Sequence, residues 1–220
     1  MSAPAGVAIV VIAKTPQPGR SKTRLCPPCT PAEAAALAQA ALCDTLAAVG
    51  AAPARRRVIA LDGEPGPWLP GGFDVVCQRG SGLGERLTHA LASAGGPAIV
   101  VGMDTPQLTP RLLESAAARL VEPGIDAVLG PALDGGYWTI GLRRADPAVF
   151  LGVPMSTDQT YSAQRRRLRE LGLLWAELPA LRDVDTIADA RTVAAAAPTT
   201  RFAQALRQLS PAGPVTELAR

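Results

Sequence analysis

A basic loop near the N-terminus contains the residue types that bind phosphate. The loop runs from Lys14 to Arg24 and holds four cations, one glycine and no acidic residue, and it follows an apolar run from Val7 to Ala13. The run predicts a buried β-strand, and open α/β sheets bind their ligands at the carboxyl ends of such strands. We therefore predict that this loop binds phosphate, with Lys22, Arg24 and Gly19 among the residues that contact it.

The loop does not match the classical P-loop. The Walker motif would place glycines before Lys22 at the two positions where this chain has Pro16 and Ser21. The pair Pro27-Pro28 also disfavours a helix that runs directly out of Lys22. We expect side-chain cations and loop amides, rather than a helix N-terminus alone, to hold the phosphates.

Carboxylates that follow two other predicted strands could hold a metal ion at the same edge of the sheet. Asp104 comes directly after the apolar run from Ala98 to Gly102, and Asp183 and Asp185 follow the last predicted strand. Carboxylate oxygens together with substrate phosphates are the usual ligands of Mg²⁺. Two structural roles remain open: Asp104 could turn the loop before a proline, and Asp185 could cap the helix that follows it.

A glycine-rich segment carries an acid and two aromatic residues. It runs from Gly130 to Trp138 and contains Asp134, Gly135 and Tyr137. Glycine lets a ligand approach the backbone closely, so we predict that these three residues bind the acceptor substrate. The alternative is a tight hairpin whose turn is Asp134-Gly135.

A second glycine-rich segment, from Gln78 to Arg86, joins a predicted strand to a predicted helix. We predict that Gln78 and Gly84 approach a nucleobase, because Gln78 offers an amide and the glycines give access. The alternative is the dinucleotide fingerprint of a Rossmann dehydrogenase. That motif would need a glycine where Glu85 stands, and a carboxylate beside a pyrophosphate is repulsive. The single histidine, His89, is assigned to packing.

Predicted strands and helices alternate along the whole chain. This order predicts an α/β domain over residues 1–220, with a mostly parallel sheet and helices on both faces. The predicted strands are 7–13, 57–61, 73–77, 98–102, 126–129, 137–142 and 173–178. The predicted helices are 31–49, 83–94, 109–121 and 159–171, and two more begin near Thr186 and Phe202.

Composition limits the function classes. A net charge of +3 and an aromatic content of 4% argue against a nucleic-acid surface. The N-terminus lacks the basic start of a signal peptide, and its apolar run is too short to span a bilayer, so a cytoplasmic protein without a membrane anchor is expected. The Cys26–Cys29 pair has no second pair to complete a zinc site and is assigned a structural role. The oligomeric state is left open.

Five motifs in order resemble the bacterial DUF2064 group of the nucleotide-diphospho-sugar transferase superfamily. They are Ala13–Gly19, Lys22–Leu25, Gly102–Pro106, Gly130–Tyr137 and Asp183–Thr186. The resemblance implies a GT-A-like α/β/α sandwich that binds a nucleoside triphosphate or nucleotide sugar with Mg²⁺ or Mn²⁺. It implies phosphate contacts from Lys14, Lys22 and Arg24, and metal ligation by Asp104 and Asp185. Lys22 and Asp104 are the residues expected to act in catalysis.

The resemblance is less specific for the reaction than for the family. Many glycosyltransferases of this fold carry D-x-D, whereas Thr105-Pro106 follows Asp104 here. The basic first loop suits a transferring phosphoryl group, so nucleotidyl transfer to a small phosphorylated or hydroxyl acceptor is slightly favoured. Glycosyl transfer from a nucleotide sugar and a non-catalytic nucleotide-binding protein are the alternatives.

Overall fold

The computed structural model describes residues 6–209, in which seven strands alternate with six helices. The strands are β1 (Ala8–Lys14), β2 (Arg57–Asp62), β3 (Asp74–Cys77), β4 (Ala98–Val101), β5 (Ala127–Pro131), β6 (Tyr137–Leu142) and β7 (Trp175–Glu177). The helices are α1 (Pro31–Ala51), α2 (Leu83–Ser93), α3 (Pro110–Leu120), α4 (Thr160–Glu170), α5 (Ile187–Ala196) and α6 (Arg201–Gln208). Short 3-10 helices occupy Thr23–Leu25 and Pro147–Val149. The predicted strands and helices are confirmed to within a few residues at their ends.

The strands form one sheet in the order β3-β2-β1-β4-β6-β5-β7. All neighbouring strands are parallel except that β6 is antiparallel to both β4 and β5. The predicted mostly parallel sheet and the three-layer GT-A-like architecture are thus confirmed. An antiparallel strand in the middle of the sheet differs from the all-parallel Rossmann order, which removes the support for the dehydrogenase alternative.

Alternate residues of the central strands pack on opposite faces of the sheet. Ile9 and Val11 of β1 join a core with α1 and α3, whereas Ala8 and Val10 join a second core with α2 and α4. Strands that are apolar on both faces require helices on both faces, because each face must be removed from water. A third apolar cluster lies between α1 and the pair α5 and α6.

Helix α1 begins with a capping box and lies largely inside the protein. The hydroxyl of Thr30 accepts the amide of Glu33, and the Glu33 carboxylate accepts the amide of Thr30 at 2.7 Å. The helix is 21 residues long with a mean hydropathy of 1.5, which by length and composition would suffice to cross a membrane. Its apolar side chains instead pack in two of the cores, with Leu42 and Leu46 in one and Leu37 in another.

The carboxyl ends of the parallel strands meet at one edge of the sheet. The strand order reverses between β1 and β4, and crevices at such points are where open α/β sheets bind ligands. The basic loop follows β1 there, and Asp104 follows β4. The amide of Lys14 donates to the sulfur of Met103 at 3.3 Å, so the two segments are in contact.

Candidate active site

Four connected cavities form a cleft along this edge of the sheet. The first cavity has a volume of about 510 Å³ and is lined by Lys14, Gln78 and Gly102, among others, and we name it the nucleoside cavity after the predicted role of Gln78. The basic cavity, about 450 Å³, lies against the loop from Arg20 to Arg24. The acidic cavity, about 460 Å³, is lined by the five carboxylates of Asp104, Asp134, Asp158, Asp183 and Asp185. The apolar groove, about 520 Å³, lies between the start of α2 and residues 147–155.

Asp104 lines three of these cavities, the nucleoside, the basic and the acidic one. Its carboxylate therefore lies where they meet. Its side chain is 39% exposed and its Oδ1 lies 2.9 Å from the ammonium of Lys22. This ion pair is the contact that its side chain makes, rather than a cap on the loop before Pro106.

A backbone hydrogen bond brings the segment with Asp183 and Asp185 to Asp104. The amide of Val184 donates to the carbonyl of Asp104 at 3.0 Å. Val184 is fully buried, while its neighbours Asp183 and Asp185 both line the acidic cavity. The N-cap of α5 is Thr186, which forms a capping box with Asp189. Asp185 is consequently free of the capping role that the sequence left open.

Lys22 is the cation at the centre of this cluster. Its side chain is only 9% exposed, and its ammonium donates to the carbonyl of Val184. It lies 2.9 Å from Asp104 and 3.5 Å from Asp185. The carbonyl of Val184 and the carboxylate of Asp185 accept hydrogen bonds from the ammonium, and Asp104 is its nearer ion-pair partner. In this structure Lys22 therefore positions the two carboxylates, and its predicted contact with phosphate stays a prediction.

The rest of the basic loop faces the cleft more openly. Arg24 is 75% exposed, and its Nη1 lies 3.2 Å from Asp185. Gly19 has φ of +74° and lies in a turn closed by the amide of Arg20 on the carbonyl of Gln17. A Pro-Gly pair fits such a turn, because the second central position needs positive φ. The cations that follow this turn, Arg20, Lys22 and Arg24, line the basic cavity.

Asp183 is the acid with the most unfavourable surroundings. Its Oδ1 is buried and has no hydrogen-bond partner in the part of the chain that the structure describes. Burial raises its pKa to about 7, and the negative charges of Asp104 and Asp134 add to the rise while Lys22 opposes it. A carboxylate left without a partner in a buried position costs stability, so such a group at a cleft marks a candidate ligand site.

The acidic cavity fits a divalent cation by its donor chemistry. Five carboxylates are suited to Mg²⁺ or Mn²⁺, and one of them is Asp183, whose buried oxygen has no hydrogen-bond partner among the described residues. The Lys22 ammonium already places a positive charge between Asp104 and Asp185. Within residues 6–209, no three such side chains are close enough to hold an ion by themselves. Phosphate oxygens and water would complete the coordination, as is usual for Mg²⁺.

The segment predicted to bind the acceptor is the turn between β5 and β6. Asp134 accepts the amide of Gly136 at 2.9 Å, and Gly135 has φ of +91°. The hairpin alternative therefore describes the backbone, while Asp134 still lines the acidic cavity. A Cβ on Gly135 would lie 2.2 Å from the carbonyl oxygen of Asp158, so this glycine is required for close packing.

Tyr137 lines the acidic cavity, and its hydroxyl has neighbours within the protein. The hydroxyl lies 3.5 Å from Oε1 of the fully buried Gln164 and 3.6 Å from the sulfur of Met155. Burial raises the pKa of Tyr137 above its ordinary value. The phenol is therefore not suited to exchange a proton with a substrate in this conformation.

The two roles of Asp134 can be separated by two substitutions. Asp134→Asn keeps the acceptor oxygen of the turn but removes the charge, whereas Asp134→Ala removes both. With a substrate pair in hand, we expect Asp134→Asn to lower turnover by about 10²-fold with nucleotide affinity unchanged in calorimetry. If Asp134→Asn is fully active and Asp134→Ala is inactive, the role of Asp134 is only to stabilise the hairpin turn.

The side-chain amide of Gln78 donates both of its hydrogens within the protein. Its Nε2 donates to the carbonyls of Ala13 at 2.7 Å and of Ala60 at 3.0 Å. Both amide hydrogens are thereby used, and the flipped amide would place three oxygens together. Gln78 lines the nucleoside cavity and presents a hydrogen-bond acceptor there. Such an acceptor selects an N–H group, which every common nucleobase carries.

Gly84 lies on α2 at the apolar groove, where a Cβ would come within 3.3 Å of Phe150. It does not line the nucleoside cavity, which Ser81, Gly82 and Leu83 line from the same segment. Glu85 accepts the amide of Ser81 at 2.7 Å, which explains an acid at the position where a dinucleotide fingerprint has glycine.

One part of the cleft has no clear signal in the sequence. Ser156 lines both the nucleoside and the acidic cavity and has φ of +60°, a strained conformation for serine. Nearby Met155 lines the acidic cavity and the apolar groove. The signal available in the sequence was weak, because residues 147–158 contain no charged cluster or glycine-rich motif that follows a strand.

Comparison with protein families gives a match to DUF2064, described as "Uncharacterized protein conserved in bacteria", over residues 33–157. The match covers more than half of the chain and includes Asp104 and Asp134. The chain belongs to the DUF2064 family. The resemblance inferred from the five motifs is thereby confirmed. No curated protein matches this DUF2064 protein at a significant level.

Several solved structures share the fold of this DUF2064 protein. A candidate nucleotide-diphospho-sugar transferase from Desulfovibrio desulfuricans G20 has a TM-score of 0.83 and 28% identity, over 91% of this chain and 94% of that one. CMP:2-keto-3-deoxy-manno-octonic acid synthetase in complex with CTP has a TM-score of 0.56 and 16% identity, over 88% and 98%.

A glycosyltransferase is also among the structural neighbours. Glucosyl-3-phosphoglycerate synthase from Mycobacterium tuberculosis, in complex with Mn²⁺, uridine diphosphate and glucosyl-3-phosphoglycerate, has a TM-score of 0.50 and 12% identity, over 85% of this chain and 75% of that one. The neighbours thus include nucleotidyltransferases and glycosyltransferases, and several hold nucleotides or metal ions.

Proposed function

We propose that this DUF2064 protein is a metal-dependent transferase that moves a nucleotidyl group from a nucleoside triphosphate to a small phosphorylated or hydroxyl acceptor. The observation that carries the proposal is the position of Asp104 at the junction of the nucleoside, basic and acidic cavities. A nucleotide that lies along the first two cavities brings its phosphates to Asp104, where an acceptor in the third can reach them.

The two ends of the nucleotide would be held differently. The base would donate an N–H to Gln78 in the nucleoside cavity. The phosphates would lie against Lys14, Arg20 and Arg24, which line the basic cavity. A cation about 4 Å from a phosphate oxygen contributes on the order of 4 kcal/mol at an effective dielectric of 20, before solvent screening of exposed side chains. Several cations placed where negative charge builds up on the transferring phosphoryl group would therefore supply much of the rate enhancement.

Asp104 and Asp185, with Asp183 beside them, would hold the metal ion. A bound Mg²⁺ or Mn²⁺ would neutralise phosphate charge and offset the repulsion among these carboxylates. Lys22 keeps Asp104 and Asp185 oriented toward the cleft.

The reaction needs positioning rather than a protein nucleophile. An oxygen of the acceptor attacks the α-phosphorus, the bond to the bridging oxygen of the β-phosphate breaks, and pyrophosphate leaves. The acidic cavity would hold the acceptor on the side of Asp134, opposite the basic loop. Alignment of the two reacting oxygens is then the main contribution of the site.

Glycosyl transfer is the second candidate. It is supported by the fold shared with glucosyl-3-phosphoglycerate synthase, whose structure holds a nucleoside diphosphate and Mn²⁺. The chain lacks the D-x-D motif of many glycosyltransferases, since Pro106 stands where the second acid would be. The second carboxylate near Asp104 comes instead from Asp185 in a distant segment, and this difference favours the nucleotidyl reaction.

A screen of products distinguishes these reactions. The protein is incubated with Mg²⁺ or Mn²⁺, each nucleoside triphosphate or nucleotide sugar, and a panel of phosphorylated and hydroxyl acceptors. ³¹P NMR is expected to show pyrophosphate that forms with the nucleotidylated acceptor. Release of a nucleoside diphosphate from a nucleotide sugar would establish glycosyl transfer instead, and nucleotide binding without any product would favour the non-catalytic alternative.

Arg24 offers the clearest test of the phosphate-binding loop. Its side chain is mostly exposed, so Arg24→Ala should leave the fold intact while it removes one charge from the basic cavity. We expect the affinity for nucleoside triphosphate to fall by about tenfold in calorimetry, with a smaller loss at high salt. Arg119→Ala, which removes an exposed arginine on α3, is the matched control. Equal affinities of the parent protein, Arg24→Ala and Arg119→Ala for nucleoside triphosphate would show that the loop does not bind phosphate.

A further inference from the structure

The apolar groove is the one cavity of the cleft that nucleotide, phosphate and metal leave unused. Its walls are the first turns of α2 and the segment from Pro147 to Met155. The lining side chains are mainly apolar, and include Leu83, Phe150, Leu151, Val153 and Met155. The site already described therefore has a neighbour of a different chemical character.

Two leucines in this groove are unusually exposed. Leu151 is 71% exposed and Leu83 is 38% exposed, whereas most large apolar side chains of the described residues are buried. Exposed apolar surface in a concave site marks a binding region, because it is costly to leave in water. Two polar side chains of the groove are bonded within the protein: the hydroxyl of Thr88 donates to the carbonyl of Gly84 at 2.9 Å, and the carboxylate of Glu85 accepts the amide of Ser81 at 2.7 Å.

The groove is continuous with the acidic cavity. Leu83 and Met155 line both, so a molecule can lie with one end at the carboxylates and the other against the leucines. The groove is also kept open by Gly84, because a Cβ there would press within 3.3 Å of Phe150 and 3.6 Å of Met155.

We propose that the apolar groove binds the apolar body of the acceptor substrate, which is therefore amphipathic. The proposal rests on the proposed function, because it assigns the reacting end of the acceptor to the acidic cavity. The acceptor carries a phosphate or hydroxyl at that end and an alkyl or aromatic group beyond it. A small, wholly polar sugar phosphate would leave Leu83 and Leu151 in water and gain nothing from the groove.

His89 provides a direct reporter of occupancy. It lines the groove and is the only histidine in the chain, so its imidazole proton resonances in a ¹H NMR spectrum need no assignment by mutagenesis. The probes are methyl, butyl and hexyl phosphate and 1-hexanol, titrated at one fixed pH. Each probe is added to the protein alone and to the protein with nucleoside triphosphate and Mg²⁺.

With nucleoside triphosphate and Mg²⁺ present, we expect hexyl phosphate to shift the His89 resonances saturably. The affinity should rise by about fourfold for each added methylene, the equivalent of about 0.8 kcal/mol. Leu151→Gln should weaken the binding of hexyl phosphate by about fivefold and leave that of methyl phosphate unchanged. Leu174→Gln, at a leucine that is 61% exposed outside the cleft, is the matched control and should bind like the parent. 1-Hexanol should bind more weakly than hexyl phosphate when nucleotide and Mg²⁺ are present.

Equal affinities across the phosphate series, or no saturable shift with any probe, would overturn the proposal. A shift of the His89 resonances with protein concentration in the absence of any probe would also overturn it, because a second copy of the chain would then cover the groove. The proposed function can fail separately from this proposal. If the protein binds hexyl phosphate with the expected chain-length dependence but shows no nucleotide binding in calorimetry, the groove is an apolar binding site and the proposed nucleotidyl transfer is wrong.

Discussion

Asp104→Asn is expected to abolish metal-dependent nucleotide binding and to lower turnover by about 10²- to 10³-fold or more. The asparagine keeps the shape of the side chain but removes the charge at the junction of three cavities. Lys22 retains its contacts with Asp185 and Val184, so the local structure should persist. The affinity for nucleoside triphosphate is measured by calorimetry with and without Mg²⁺ or Mn²⁺.

The fold of the variant provides the control for this result. The far-UV circular dichroism spectrum and the unfolding temperature without metal should match those of the parent protein. Addition of a chelator to the parent should reproduce the binding defect of the variant. Unchanged dependence on Mg²⁺ or Mn²⁺ in Asp104→Asn would remove Asp104 from the metal site.

Asp183→Asn is expected to stabilise the metal-free protein by a few kcal/mol, while it weakens the metal site. The folded protein raises the pKa of Asp183 from 3.8 to about 7, because the group is buried beside other carboxylates. Each unit of such a shift corresponds to about 1.4 kcal/mol. For a chain of this size, 1 kcal/mol raises the unfolding temperature by roughly 2 to 4 °C.

The sign of the pH dependence follows from the raised pKa. Between about pH 4 and pH 7 the folded protein holds a proton on Asp183 that the unfolded chain has lost, so the stability of the parent falls as the pH rises. The gain in the free energy of unfolding from Asp183→Asn is therefore absent below about pH 4 and complete above about pH 7. Unfolding temperatures of both proteins across this range test the prediction.

Asp158→Asn is a suitable comparison, because Asp158 is an exposed acid that lines the same cavity. It should change the unfolding temperature much less than Asp183→Asn does. Excess Mg²⁺ with nucleotide should stabilise the parent more than the Asp183 variant. An Asp183→Asn protein that is less stable than its parent at pH 8 would contradict the description of Asp183 as an uncompensated buried acid.

The fold of this DUF2064 protein could be predicted because its signals are local. The capping box at Thr30 and Glu33 and the N-cap at Thr109 lie where the sequence placed the starts of α1 and α3. The apolar runs of β1 and β4 are buried on both faces, as continuous runs in a parallel sheet require. The strand order and the antiparallel direction of β6 were not predicted, because they depend on how distant segments pair.

The site was less accessible to prediction because its contacts are long-range. Lys22 and Asp185 are 163 positions apart, and no local pattern indicates that this cation lies among the carboxylates rather than in open solvent. Asp183 and Asp185 have the same residue type, and only burial distinguishes them. The direction of the Tyr137 hydroxyl, toward Gln164 on α4, likewise depends on how distant elements pack.

A crystal structure of the protein with a nucleoside triphosphate and Mn²⁺, collected to record the anomalous signal of manganese, tests the central claim most directly. The predicted result is an anomalous peak at bonding distance from the Asp104 carboxylate, with the triphosphate against Lys14 and Arg24 and the base at Gln78. A nucleotide bound outside the cleft, or one in the cleft with no manganese at Asp104, would contradict the account.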